Sequence, residues 1–132
     1  MNQKDKELLL KDISSRLPYN VICFKSITNC HPGNSVLLEE DIYSLRTGRP
    51  TIPDFGQHDY YRTVILELKP YLRPISSMTL EEEREYNLTK TLSITDYPTL
   101  ESFDWLLAHH FDFRGLIEKG LALEAPEGMY NL

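Results

Sequence analysis

The sequence lacks long apolar runs. No stretch approaches the roughly 20 consecutive apolar residues that a membrane-spanning helix requires, and the first apolar run, residues 8–10, is interrupted by Lys11. Residues 1–7 are polar and mixed in charge, which is not typical of a secretory signal peptide. We therefore expect a soluble, cytoplasmic protein that makes no contact with a membrane.

Cysteines and glycine-rich motifs are also scarce. Cys23 and Cys30 are too few for a disulfide framework and too widely spaced for a zinc site, so we expect two reduced thiols, with Cys23 in the core. The glycines are scattered singly, which disfavours a phosphate-binding loop, and no serine lies in a nucleophile-elbow pattern. The sequence predicts no metal and no cofactor.

Basic residues are outnumbered, because 14 lysines and arginines stand against 20 acidic residues for a net charge of -6. An acidic chain is a poor match for a phosphate backbone, so nucleic acid is a disfavoured partner. The chain has 41% hydrophobic and 26% charged residues, which is an ordinary globular mixture. Its 132 residues fit one domain, 1–132.

The first half of the chain predicts a helix followed by strands. Apolar residues recur at helical spacing over 4–16, and a β-rich segment follows at 21–27. Turn-forming residues 29–34 then lead to a returning strand at 35–39, while the pattern at 42–45 fits either a strand or a helical turn. Residues 62–68 alternate and predict a third strand, with Val64, Leu66 and Leu68 on one face.

The second half predicts mainly helices. Residues 69–74 contain two prolines and are interpreted as a stiff, extended connector. Thr79 and Glu82 form a capping box for a helix from 80 to 88 or 90, and another helix begins at 98–99. A last short helix is predicted over 112–120, where its end has the pattern of a Schellman motif.

These elements predict the α+β class. The expected order is an N-terminal helix, a three-stranded antiparallel β-meander, and two or three C-terminal helices after the proline connector.

The most suggestive group of reactive side chains is His109, His110 and Asp112, to which His58 would add a further ligand. Imidazole and carboxylate groups bind metals and transfer protons, so these residues are the candidate catalytic set of a metal-dependent hydrolase or nuclease. Adjacent histidines on a helix point about 100° apart, however, which disfavours a shared ion. The structural alternative places His109 on an aromatic ring, His110 at a helix C-terminus in its charged form, and Asp112 as a cap.

A second candidate site is a binding surface in and beside the long segment 46–59. Arginine, tyrosine and phenylalanine are common anchors of protein interfaces. The candidate binding residues are Arg46, Arg49, Phe55, Tyr60 and Tyr61. The same arginines and tyrosines fit single-stranded nucleic acid or a solvated loop.

Three stretches carry a resemblance to known proteins. Residues 16–19 (RLPY), 69–79 (KPYLRPISSMT) and 113–123 (FRGLIEKGLAL) resemble small uncharacterised proteins of gut Bacteroidales, many of them encoded in phage-derived or mobile regions. The resemblance implies a bacterial, cytoplasmic or phage-related setting and transfers no site residues.

The expected function is a non-enzymatic protein-interaction or regulatory module of a mobile element or phage, with a protein partner of unidentified kind. Two alternatives stay open. One is the metal-dependent hydrolase or nuclease, and the other is a nucleic-acid-binding accessory protein.

Overall fold

The computed structural model describes residues 1–28, 31–48, 64–90 and 99–130. Within these ranges the chain is α+β, with four α-helices and a mixed five-stranded sheet. The predicted fold class is therefore confirmed at this level. None of the helices in the described ranges is long and apolar enough to cross a lipid bilayer.

Helix α1 spans Gln3–Arg16, within one residue of the prediction. Its start is fixed by the side chain of Asn2, which accepts a hydrogen bond from the Asp5 N–H at 2.8 Å. Leu9 and Ile13, four residues apart, lie on one face and are buried in the core. A short 3₁₀ turn at Leu17–Tyr19 then ends the helix, because proline cannot continue the α-helical hydrogen bonding.

The antiparallel part of the sheet has the order β2-β1-β3, with β1 (Ile22–Ile27) in the centre. Strand β2 (Gly33–Val36) pairs with β1 along one edge, and β3 (Ile65–Pro74) pairs with β1 along the other. In a meander β2 would be central, so the predicted β-meander is wrong in strand order. The third strand instead returns to pair with the first.

Residues 69–74 are extended, as predicted, but they belong to β3 and are not a connector between strands and helices. Pro70 lies opposite Cys23 at the end of the ladder with β1. Beyond it, the backbone pairs with two short parallel strands, β4 (Phe111–Asp112) and β5 (Leu123–Glu124). These partners allow an extended segment with two prolines to continue as a strand, because the prolines lie where a ladder ends.

A β-bulge overturns the predicted alternation in β3. Ser26 and Ile27 are adjacent in β1, yet they pair with Glu67 and Ile65, so Leu66 is the extra residue. The bulge places Leu66 outward, where it is 64% exposed.

Helix α2 spans Glu39–Thr47 and resolves the ambiguity at 42–45 in favour of a helix. The carboxylate of Asp41 accepts a hydrogen bond from the Leu38 N–H at 2.9 Å, which fixes the first turn. Asp41 also forms a buried ion pair with Lys25 of β1. Helix α2 begins at Glu39, which is the last residue of the strand predicted at 35–39.

Helix α3 spans Leu80–Leu88, and its predicted capping box between Thr79 and Glu82 is present. Helix α4 spans Leu100–Ala108. The predicted helix at 112–120 is instead a series of turns, although its Schellman end is confirmed by hydrogen bonds to the Leu116 carbonyl and by a positive φ of 74° at Gly120.

The core lies where α1, α2 and the C-terminal turns meet the sheet. Its central members come from each of these elements. They are Leu9, Ile13, Val21, Cys23, Leu37, Leu45, Ile65, Leu68, Leu72, Leu116, Leu121 and Ala122. The thiol of Cys23 is free and fully buried, as predicted, and Cys30 lies outside the described residues.

Candidate functional site: an acidic cleft

A cleft of about 740 Å³ lies between the end of β3, the start of α3 and the C-terminal segment. This volume is within the range of clefts that bind small ligands or single side chains. Five glutamates are found among its described lining residues. They are Glu81, Glu82 and Glu85 on the α3 side and Glu124 and Glu127 on the C-terminal side.

The guanidinium of Arg73 also lines the cleft, but its charge is already paired. Both of its terminal nitrogens donate to the Glu82 carboxylate at 2.7 Å. The guanidinium also stacks 4.2 Å from the centre of the Phe111 ring. The hydrogen bonds from Arg73 are the largest cause that lowers the pKa of Glu82 to about 2.

The other cleft carboxylates have no comparable partner among the residues that the structure describes. Within the part of the chain that the structure describes, Glu81, Glu124 and Glu127 make no ion pair, and all three are exposed. Glu85 lies 4.0 Å from the Nε2 atom of His109. The walls therefore present unneutralised negative charge from two segments that face one another.

The C-terminal wall of the cleft is attached to the sheet by its backbone and by Tyr130. The Ala125 N–H donates to the Leu72 carbonyl at 2.8 Å. The Tyr130 hydroxyl donates to the Tyr71 carbonyl at 2.7 Å and accepts from the Ile22 N–H at 2.9 Å. These contacts give the cleft a wall of defined position, although it contains only two residues of strand.

The two histidines of the predicted reactive group have separate structural roles. His109 stacks on Trp105 with ring centres 3.9 Å apart, which confirms the predicted contact with an aromatic ring. His110 has a positive φ of 63° and stacks on Tyr130 instead. Burial lowers the pKa of His110 to about 4, so the expected charged form at a helix C-terminus is wrong and the ring is neutral near pH 7.

The structural alternative has Asp112 capping a helix at 112–120, but that helix is absent, and Asp112 lies in β4 and fixes the turn that follows. Its two carboxylate oxygens accept hydrogen bonds from the Leu116 and Ile117 N–H groups, each at 2.9 Å. Across the described ranges, no group of three or more His, Cys, Asp or Glu side chains is arranged to hold a metal ion. The structure therefore does not bring His109, His110 and Asp112 together as ligands, and His58 lies outside the described residues.

The predicted binding surface is described only in part. Arg46 is exposed in the last turn of α2 and does not line the acidic cleft. Arg49, Phe55, Tyr60 and Tyr61 lie outside the described residues, so this surface stays a prediction.

The cleft is not visible in the sequence because its two walls lie about forty residues apart. The run of glutamates at 81–83 predicts a helix start, which is correct, and residues 124–130 look like a terminal turn. The helix start and the terminal turn are each inferred from neighbouring residues alone. The spacing of either segment alone does not indicate that the two acidic segments face one another.

Comparisons with known proteins assign no family. No protein-family model matches the chain, and searches of the curated proteins and of the solved structures return no match. The resemblance to Bacteroidales proteins stays a prediction.

Proposed function

We propose that this protein is a non-enzymatic interaction module that docks a lysine- or arginine-rich segment of a partner protein in the acidic cleft. The observation that carries the proposal is the cleft itself. It has about 740 Å³ of space, glutamates on two facing walls, and a guanidinium that is already bound to Glu82.

The charge of the cleft selects the kind of ligand. Exposed carboxylates attract cationic groups, and complementary charge chiefly increases the association rate and the specificity of binding. The same carboxylates repel phosphate groups, which supports a protein segment over nucleic acid as the partner. The volume suits a few long cationic side chains, since it lies within the usual size range of ligand clefts.

The histidine contacts support binding over catalysis at this site. A general base must reach the proton that it removes, and its pKa is best placed near the working pH. The ring of His110 is buried against Tyr130 and has a pKa of about 4. His109 lines the cleft, yet one ring nitrogen contacts the Trp105 carbonyl at 2.9 Å.

A regulatory role in a mobile element or phage is part of the same proposal. The sequence resemblance supports that setting, and the cleft supports the type of partner.

A binding titration tests the proposal. A fluorescent peptide of alternating lysine and arginine is titrated with wild-type protein and with a variant that carries Glu81→Gln, Glu85→Gln, Glu124→Gln and Glu127→Gln. Each exposed ion pair changes affinity by a few-fold, so the loss of four should weaken binding roughly 30-fold.

A second quadruple variant controls for net charge. It replaces four exposed glutamates that do not line the cleft, Glu7, Glu40, Glu101 and Glu118, with glutamine. Its affinity should stay within about threefold of wild type, because distant exposed charges are largely screened. Equal losses in the two variants would show that the peptide responds to overall charge, and the cleft would then not be the docking site.

A further inference from the structure

The C-terminal wall of the acidic cleft is one continuous segment, residues 123–130, which we call the strap. It includes β5, the backbone bond from the Ala125 N–H to the Leu72 carbonyl, and Tyr130 at its far end. Glu124 and Glu127 of the strap line the cleft. Any movement of the strap would therefore remove one wall of the cleft.

Tyr130 lies directly on His110, with ring centres 3.8 Å apart and planes 16° apart. His110 is only 6% exposed, and its left-handed φ of 63° is uncommon for a residue with a side chain. Its Nδ1 atom is buried and has no hydrogen-bond partner among the described residues. The end of the strap thus covers an imidazole whose polar atom is unsatisfied.

Burial is the largest cause that lowers the pKa of His110. Among the described residues, Arg16 from α1, His109 and Arg73 from β3 lower it further. Both arginines are already bound to carboxylates, since Asp12 pairs with Arg16 and Glu82 pairs with Arg73. Tyr130 contributes a neutral hydroxyl, because burial raises its pKa to about 12.

Protonation of His110 would therefore be unfavourable while the strap is in place. The added proton comes from solvent and leaves an N–H donor at Nδ1 that finds no acceptor in the described part of the chain. It also adds a positive charge beside Arg16 and Arg73. Detachment of Tyr130 would expose the imidazolium to water and relieve both costs.

We propose that the strap is an acid-sensitive closure, in which protonation of His110 releases residues 123–130 and removes the C-terminal wall of the acidic cleft. The release itself stands on the contacts of His110 and Tyr130. Its consequence for a basic ligand rests on the proposed function.

Amide hydrogen exchange, followed by NMR on the full chain without ligand, tests the release. The Ala125 N–H reports on the strap, and the Leu37 N–H, which donates to the Val21 carbonyl at 2.8 Å, reports on the sheet. Protection is corrected for the intrinsic effect of pH. The pKa of His110 is about 4, against an ordinary value of 6.5. Protection of Ala125 should therefore fall by up to roughly 300-fold as the pH decreases through this interval.

Two matched variants locate the responsible imidazole. His110→Asn removes the titrating ring, and asparagine tolerates the left-handed backbone conformation. In this variant the acid-dependent loss at Ala125 should disappear. His109→Asn removes the neighbouring ring and should keep the loss.

Three results would overturn the proposal. The first is that wild type shows no acid-dependent loss of protection at Ala125, and the second is that this loss persists in His110→Asn. The third is an equal loss at Leu37, because this would indicate unfolding of the whole domain rather than release of the strap. Since no ligand is present, failure here is distinct from failure of the peptide titration.

Discussion

The ion pair between Arg73 and Glu82 offers a sharp test of how the cleft is built. Glu82 caps α3, accepts two hydrogen bonds from Arg73 and has a side chain that is only 13% exposed. Glu82→Gln keeps the size and the cap oxygen but removes the charge. It should therefore separate the electrostatic contribution from the packing of the side chain.

The magnitude follows from the pKa of Glu82, which is lowered from 4.5 to about 2. One pH unit corresponds to about 1.4 kcal/mol, so the charge contributes about 3 kcal/mol to the free energy of unfolding near pH 7. Because the folded-state pKa is lowered, this contribution is complete above pH 4.5 and is lost as the pH falls towards 2. Glu82→Gln should remove it.

Urea denaturation at several pH values between 7 and 3 measures the effect. Wild type should exceed Glu82→Gln by about 3 kcal/mol at pH 7, and the difference should shrink below pH 4.5. The matched control is Glu83→Gln, an exposed neighbour in the same helical turn, which should change stability by no more than about 0.5 kcal/mol. Equal free energies of unfolding for Glu82→Gln and Glu83→Gln at pH 7 would contradict this prediction. A difference between wild type and Glu82→Gln that is the same at pH 7 and pH 3 would contradict it as well.

Two further predictions concern buried groups away from the cleft. Asp12→Asn leaves the fully buried guanidinium of Arg16 without its ion pair and removes a partner of Arg114, so it should cost about 3–5 kcal/mol in urea denaturation. Glu7→Gln, an exposed change in the same helix, should leave the free energy of unfolding nearly unchanged. An equally small effect of Asp12→Asn would contradict the buried ion pair between Asp12 and Arg16. Burial raises the pKa of Cys23 to about 12, so native protein at pH 8 should resist alkylation at this residue while denatured protein reacts. Mass spectrometry identifies which cysteine is alkylated. Equal alkylation rates of Cys23 in native and in denatured protein would contradict the burial of its thiol.

Local signals in the sequence predict several helix ends correctly. Thr79 and Glu82 lie three residues apart and satisfy one another within one turn, so no distant contact is needed to place the start of α3. The hydrogen bonds around Gly120 are equally local. The fold class and the span of α1 follow from such patterns.

Strand pairing depends on residues that are distant in sequence. The segment 69–74 resembles a connector because of Pro70 and Pro74, and it becomes a strand because β4 and β5 pair with it from some forty to fifty residues away. The bulge at Leu66 likewise depends on the register with β1. The local sequence pattern of residues 65–74 indicates neither the pairing with β4 and β5 nor the register with β1.

In the candidate site, too, local contacts can be predicted from the sequence and contacts between distant segments cannot. The sequence identifies His109, His110 and Asp112 as reactive types, and one of their structural roles, the aromatic contact of His109, is predicted correctly. The acidic cleft requires the strap to face the start of α3. That arrangement is a property of the folded chain.

The most direct measurement of the central claim is an NMR titration of the labelled protein with a short oligolysine peptide. Binding in the acidic cleft predicts chemical-shift changes at amides 79–85 and at the amides of Glu124, Ala125, Glu127 and Gly128. These changes should disappear in 1 M salt, where charges are screened over about 3 Å. Shifts that map elsewhere, for example around Arg46, or shifts in the cleft that persist at high salt, would contradict an electrostatic docking site between α3 and the strap.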